Sequence, residues 1–266
     1  MQRPSKVPVQ PCCVLTRPAG LNAGLRARLQ ADLPGLPVCE VPLLQFAPNA
    51  QPTAAQAALA ECSAEDWLIF VSPRAVEFTH ALVPLSDLPC TRIACVGAAT
   101  ADTVRRLRPG SDPIVPHSTS DSEGLLAALD PSEFVGRRVW LLRGQDGREW
   151  LGEQLQQWGA RVTPLSVYQR QCAPLGDWPS VPALWILTAP AALHCLHAAI
   201  GRRAEPDRPR LLHSPLVLIN ARARALARDL GFTGTITLSQ APDDAALSHA
   251  CAQAWHLFTM NQESAP

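Results

Sequence analysis

Few residues in this chain could carry covalent or acid–base chemistry. Lys6 is the only lysine, the other 22 basic residues are arginines, and Tyr168 is the only tyrosine. Lys6 stands in a Pro-rich stretch, so a P-loop lysine, a Schiff-base lysine and a kinase-type strand lysine are excluded. No nucleophile–base pair stands out, and Asp146 and Arg148 share a turn where exposure is the plain explanation. Tyr168 ends an extended segment at a candidate crossing between domains. A lone tyrosine ordinarily packs with its hydroxyl at the surface, but beside a cleft it could donate a hydrogen bond or a proton to a leaving group. The remaining candidates are small, hydroxylic or basic residues that follow apolar runs: Thr16-Arg17, Ser72, Gly97 to Thr100, Ser122 and Glu123, Arg143-Gly144, Thr188-Ala189, and Asn220 to Arg222. Ordinary helix capping accounts for any one of them. Their recurrence at helix starts points further, because uncapped N–H groups and the helix dipole there attract anions. Several such ends together suit a polycarboxylate or phosphate ligand.

Other chemistries find less support. His194 and His197 are three apart, yet no Asp or Glu accompanies them at ligand spacing, so no metal is expected. There is no GxGxxG opening a helix and no GxSxG elbow, which favours cofactor-free chemistry or simple binding. Lys+Arg and Asp+Glu are both 23, which argues against a general nucleic-acid binder. The nine cysteines are odd in number, lack CxxC spacing and sit mostly in apolar context, so reduced, buried thiols are expected. With no signal-peptide pattern in the first dozen residues and no apolar run of about 18, a cytoplasmic protein without membrane contact is the expectation.

The elements that must position these residues alternate as strand and helix along nearly the whole chain, the pattern of parallel βα architecture. Strands are expected at Cys12–Thr16, Trp67–Val71, Arg92–Val96, Pro113–Val115, Val139–Leu142, Val162–Tyr168, Leu184–Leu187, Leu216–Ile219 and Thr235–Leu238, with Val38–Leu44 an edge or linker piece because of Pro42. Leu21, Leu25, Leu29 and Leu33 mark a helix stripe ended by Pro34-Gly35. Further helices are expected at Thr53–Cys62, Pro73–Leu82, Ala98–Leu107 and Arg148–Trp158, the last closed by Gly159. Ser120 and Glu123 have capping-box spacing and predict a helix through Leu129. About ten strands suffice for two five-stranded sheets.

A weak internal repeat organises the elements. One kind of unit, a strand followed by an arginine turn and a helix, begins at Leu15-Thr16-Arg17 and again at Leu142-Arg143-Gly144. The other runs from Leu68–Pro73 to Val96–Ala101, and again from Trp185–Pro190 to Ile219–Arg224. From order alone the two domains could be sequential or nested, with crossings at Leu43–Pro52 and Tyr168–Pro182.

The stretch Val139-Trp140-Leu141-Leu142-Arg143-Gly144-Gln145-Asp146-Gly147-Arg148-Glu149-Trp150-Leu151, with Trp158-Gly159-Ala160-Arg161-Val162 and Val167-Tyr168-Gln169-Arg170, resembles the uroporphyrinogen-III synthase family. So do Leu15-Thr16-Arg17-Pro18, Phe70-Val71-Ser72-Pro73-Arg74-Ala75-Val76, Val96-Gly97-Ala98-Ala99-Thr100-Ala101 and Ser122-Glu123-Gly124-Leu125-Leu126. The resemblance covers almost the full length, and it rests on the order and spacing of motifs that are individually weak. It implies an α/β fold of two flavodoxin-like parallel-sheet domains joined by a two-stranded linker, one nested in the other. Residues 1–43 and 172–266 would form the discontinuous domain and 47–166 the inserted one, with linkers near 41–52 and 166–182. It also implies a substrate, hydroxymethylbilane, a linear tetrapyrrole with eight carboxylates held between the domains. The enzyme would close the macrocycle with inversion of ring D and loss of water, through an azafulvene cation and a spiro intermediate, without metal or coenzyme. Thr16, Arg17, Ser72, Gly97, Thr100, Ser122, Glu123, Arg143, Gly144, Thr188, Ala189, Asn220 and Arg222 become its substrate-binding candidates, and Tyr168 its proton donor. The partner expectations are a monomer with transient contact to hydroxymethylbilane synthase.

The chain departs from the family pattern where Ala189-Pro190 replaces Ser-Pro and Asn220-Ala221-Arg222-Ala223-Arg224 replaces a Gly-x-x-Thr-Ala run. Backbone donors survive such changes; hydroxyl donors do not. The departures motivate an alternative, a non-catalytic two-domain protein that binds an anionic tetrapyrrole or other polyanion. A regulatory or interaction module is a third reading, which lacks any attached partner domain in its favour.

Overall fold

The computed structural model describes residues 11–263 apart from 118, 177, 180, 182 and 206, with backbone alone at 261–263. Lys6 and residues 177, 180 and 182 of the expected 166–182 linker lie outside the described residues. The strands are β1 (Cys13–Leu15), β2 (Val38–Glu40), β3 (Leu44–Pro48), β4 (Trp67–Phe70), β5 (Arg92–Cys95), β6 (Arg138–Gly144), β7 (Arg161–Cys172), β8 (Leu184–Leu187), β9 (Leu216–Leu218) and β10 (Ile236–Leu238). The helices are α1 (Ala23–Asp32), α2 (Pro52–Ala60), α3 (Pro73–Leu82), α4 (Ala98–Leu107), α5 (Ser122–Ala128), α6 (Trp150–Gln157), α7 (Pro190–Gly201), α8 (Asp207–Leu212), α9 (Ala221–Asp229) and α10 (Asp244–Glu263).

The chain divides at Gln45/Phe46 and Arg170/Gln171 into a discontinuous unit and a continuous one. The discontinuous unit holds a five-stranded parallel sheet of order β10-β9-β8-β1-β2. Counted within the unit this is 2-1-3-4-5, the flavodoxin order, with its topological switch point between β1 and β8. The continuous unit has the order β3-β7-β6-β4-β5. Its strands β5, β4, β6 and β7 are parallel, with a switch point between β4 and β6. The fifth strand, β3, runs the other way, because Asn49 N–H donates to Val167 O while Ala173 N–H donates to Leu43 O. The first and fourth repeat units thus share one sheet, and the second and third share the other.

Continuous apolar runs explain why both sheets are interior. β1, β4, β8 and β9 are buried at every position, as expected of strands covered on both faces. Alternation sorts their side chains. In the discontinuous unit Val14, Trp185, Leu187 and Leu218 pack with α7 and α9, while Leu15, Ile186 and Val217 pack with α1 and α10. In the continuous unit Phe70, Trp140 and Leu142 meet α3 and α4, while Ile69, Val139 and Leu141 meet α5 and α6. Each fully buried Leu, Ile or Phe contributes about 1.5–3 kcal/mol of transfer free energy.

Several local expectations are corrected. The Leu stripe is shorter than its spacing suggests: α1 starts at Ala23, Leu25 and Leu29 are buried, and Leu21 is 48% exposed. The Val38–Leu44 piece breaks at residues 41–43 into β2 and β3, which belong to different sheets. Pro113–Val115 supplies only a bridge from Ile114 to Ala94. No capping box forms at Ser120 and Glu123. Asp121 caps α5 instead, accepting from Gly124 N–H at 2.7 Å. That bond and one from the Thr119 hydroxyl hold the Asp121 carboxyl below the usual carboxylate range. Gly159 ends α6 at φ +85°, where a side chain would be strained. The expectation of nine reduced thiols fails at Cys172 and Cys195, which form a disulfide. β7 runs four residues beyond Tyr168 and so brings Cys172 beside α7. Among the other cysteines, Cys12 and Cys39 approach to 3.2 Å and Cys13 and Cys251 to 3.5 Å. No described helix is long and apolar enough to cross a membrane.

Candidate functional site

In open parallel sheets the crevice for a ligand lies beyond the carboxyl ends of the strands at the switch point. In the continuous unit β4 ends at Phe70 and leads into Ser72, and β6 ends at Gly144, on the two sides of that point. Tyr168 on β7 reaches across both. β7 shifts register against β6 between Arg143 and Gly144, which sets Gly144 opposite Tyr168. The ring lies so close over Gly144 that an added Cβ would stand 2.7 Å from Cε2 and 2.8 Å from Cζ. The phenol oxygen then meets Oγ of Ser72, the N-cap of α3 just after β4, at 3.2 Å. Phe78 of α3 stacks on the ring and Phe46 of β3 packs edge-on, both at 5.6 Å between centroids. Gln145 N–H donates to Tyr168 O at 2.9 Å. The tyrosine is therefore a fixed feature, 8% exposed, with its hydroxyl at the strand ends. A small depression lined by Val71, Gly144–Gly147, Tyr168 and Arg170 opens there.

The other candidates in this unit divide by what already occupies their polar atoms. Ser72 caps α3, accepting from Ala75 N–H at 3.1 Å. Gly97 precedes α4 in an extended conformation, with Ser120 3.0 Å from where its Cβ would be. Thr100 is buried in the first turn of α4, and its N–H bonds to Gly97 O. Arg143 turns back on its own loop, donating to Gly147 O at 2.6 Å and Arg148 O at 3.0 Å, with Glu149 3.6 Å away. It shapes the 144–148 turn. Ser122 is the first residue of α5, and Glu123 pairs loosely with Arg148 at 3.8 Å. Arg170 is exposed and unpaired among the described residues. The sequence marks it only as the end of the Val167–Arg170 stretch and not as a site candidate, although strand alternation puts it on the same face as Tyr168, two residues on.

In the discontinuous unit the switch point lies between Thr16 and Thr188. Thr16 is 2% exposed and its hydroxyl donates to Ile186 O at 2.6 Å, so it ties β1 to β8. Arg17 pairs with Asp244 at 2.6 Å and also reaches Pro242 O, which joins the end of β1 to the start of α10. Thr188 is half-buried just before α7. Ala189 stands at the N-cap of α7 without a side-chain cap; Pro190 has no N–H and Ala192 N–H donates to Ala189 O at 3.0 Å, which leaves the Ala191 N–H open. Asn220 caps α9 through Ala223 N–H at 2.8 Å. Arg222 and Arg224 beside it are exposed and form no ion pair among the described residues. His194 and His197 on α7 are joined by no third metal-ligating side chain among the described residues.

Two sheets of flavodoxin-like strand order, with hydroxylic and basic side chains at their carboxyl ends, define an α/β protein of two parallel-sheet units. A family model described as Uroporphyrinogen-III synthase HemD matches residues 30–248. The uroporphyrinogen-III synthase of Escherichia coli is 29% identical over 245 residues, covering 88% of this chain and 97% of that protein. That of Salmonella typhimurium is 30% identical over 244 residues with the same coverage. The crystal structure of uroporphyrinogen-III synthetase from Helicobacter pylori aligns with TM-score 0.50 at 13% identity, covering 92% of this chain and 99% of that one, and shares the fold. This chain belongs to the uroporphyrinogen-III synthase family, a family of enzymes.

Proposed function

We propose that the protein closes hydroxymethylbilane to uroporphyrinogen III, acting as a cyclising carbon–oxygen lyase. Membership of the family along most of the chain supports the reaction, and the seat of Tyr168 is the observation that carries the chemistry. The terminal hydroxyl must leave as water, which requires a proton. Tyr168 presents a hydroxyl held by packing on both ring faces, beside open space, at the strand ends where a ligand would lie. Its role is to donate to the departing oxygen. Within the discontinuous unit the Ala191 N–H and the unpaired Arg222 and Arg224 suit carboxylates, and within the continuous unit the unpaired Arg170 does. At Ala189, main-chain binding rather than a degraded site rests on the Ala191 N–H, which has no acceptor among the described residues, since Pro190 lacks an N–H and Ala192 N–H is taken by Ala189 O. The remaining candidates stand at helix starts within each unit: Gly97, Thr100, Ser122 and Glu123 at α4 and α5 in the continuous unit, and Thr188 and Asn220 before α7 and α9 in the discontinuous one.

Freshly prepared hydroxymethylbilane closes uncatalysed to the type I isomer. Incubation with the protein is expected to divert product to type III in proportion to enzyme. Accumulation of type I alone at high protein concentration refutes the reaction and leaves the polyanion-binding protein as the better reading.

A further inference from the structure

We propose that Ser72 is a positioning residue that aims the proton of Tyr168, rather than a direct substrate ligand. This rests on the reading of Tyr168 as proton donor. Ser72 Oγ has one hydrogen and two lone pairs. One lone pair takes Ala75 N–H at 3.1 Å, at the N-terminus of the ten-residue helix α3. The remaining partner of Ser72 Oγ is Tyr168 Oη at 3.2 Å, and either oxygen could supply the hydrogen. The choice decides what the tyrosine can do. If the phenol donates to Ser72, its proton is tied up and it offers the ligand only lone pairs. If Ser72 donates, the phenol proton is free to point into the depression.

Two features select the second arrangement. The positive end of α3 draws lone-pair density of Ser72 Oγ toward the helix and leaves the hydroxyl hydrogen directed away from it. The rings of Phe46 and Phe78 pack against the phenol, so its outlet is the open side toward the depression lined by Val71, Gly144–Gly147 and Arg170. The helix N–H, Ser72 and Tyr168 then form one directed chain ending at the substrate. Tyr168 gives its proton to the terminal hydroxyl as the C–O bond breaks, and its electron pair leaves with the water. The resulting phenolate accepts from Ser72 O–H, and the proton lost as the macrocycle closes returns to it.

A double-mutant cycle with hydroxymethylbilane turnover tests this. Ser72→Ala should lower kcat about 10- to 100-fold, the worth of a hydrogen bond to a group that becomes charged, with KM within twofold. Ser72→Thr should restore kcat to within about threefold, since it keeps both the cap and the donor. Ser72→Asp should be as slow as Ser72→Ala although it still caps α3, because a carboxylate has no proton to give. In a Tyr168→Phe background Ser72→Ala should cost nothing further. Equal losses in both backgrounds, failure of Thr to rescue, or a rise in KM at constant kcat overturns the positioning role while leaving Tyr168 in place. An unchanged kcat in Tyr168→Phe overturns the proton-donor reading itself, and the role of Ser72 with it.

Discussion

Gly144→Ala isolates the packing that holds Tyr168. Nothing in the backbone forbids alanine there, since Gly144 is not among the glycines with positive φ. The obstacle is the ring, at 2.7 and 2.8 Å from the added methyl. Carbon atoms settle at about 3.5–4.0 Å, so ring and methyl must separate by roughly 1 Å. Phe46 and Phe78 block easy rotation, and the phenol oxygen, now 3.2 Å from Ser72, would leave hydrogen-bond range. Overpacking of this kind costs about 1–3 kcal/mol, and a displacement of about 1 Å at a reacting group costs about 100-fold in turnover. Urea unfolding should report the first. The rate of type III formation, corrected for folded fraction, should report the second. Added to Tyr168→Phe, the same alanine should slow turnover little more, because ring position matters only while the hydroxyl is present. A Gly144→Ala protein with turnover within twofold of the parent and an unshifted urea midpoint would refute the reasoning.

Three further outcomes follow from the geometry. Thr16→Val removes the buried donor to Ile186 O while keeping shape, so stability should fall by about 1–2 kcal/mol with KM unchanged; a raised KM would mark Thr16 as a ligand. Burial opposes ionisation of Asp66, but the Trp140 indole N–H and the Ser63 N–H and hydroxyl outweigh it and hold its pKa below the usual carboxylate value. Its stability contribution is therefore complete above the unfolded value of about 3.9 and lost as pH falls through the lower folded one. Asp66→Ala should weaken the protein at pH 7 by about 1–3 kcal/mol and flatten that acid limb, as urea titrations between pH 2 and 7 would show. Cys172→Ser opens a loop with ends 23 residues apart, which should cost about 3 kcal/mol, seen as a lower urea midpoint and reproduced by reductant on the parent.

Local sequence determined much of this protein. Apolar runs such as Leu184–Leu187 are legible because a strand covered on both faces must be apolar throughout, and Leu25 and Leu29 because a helix buries one stripe. Residues following such runs fall at strand ends in any parallel sheet, so the addresses of Ser72, Gly97, Thr188 and Asn220 could be read without knowing their neighbours. The role of each could not. Whether Thr16 offers its hydroxyl to a ligand depends on Ile186, 170 residues away, and whether Arg17 is free depends on Asp244, 227 residues away. Gly144 looked like a turn residue and is instead the space beneath a ring. Ser72 and Tyr168 are 96 residues apart and meet only because β4, β6 and β7 are neighbours in that order. Periodicity records how an element is buried, a property of a few adjacent residues. Which strand lies beside which is decided by packing the whole chain, and the hydrogen bonds that turn a lone tyrosine into a candidate proton donor exist only after that choice is made.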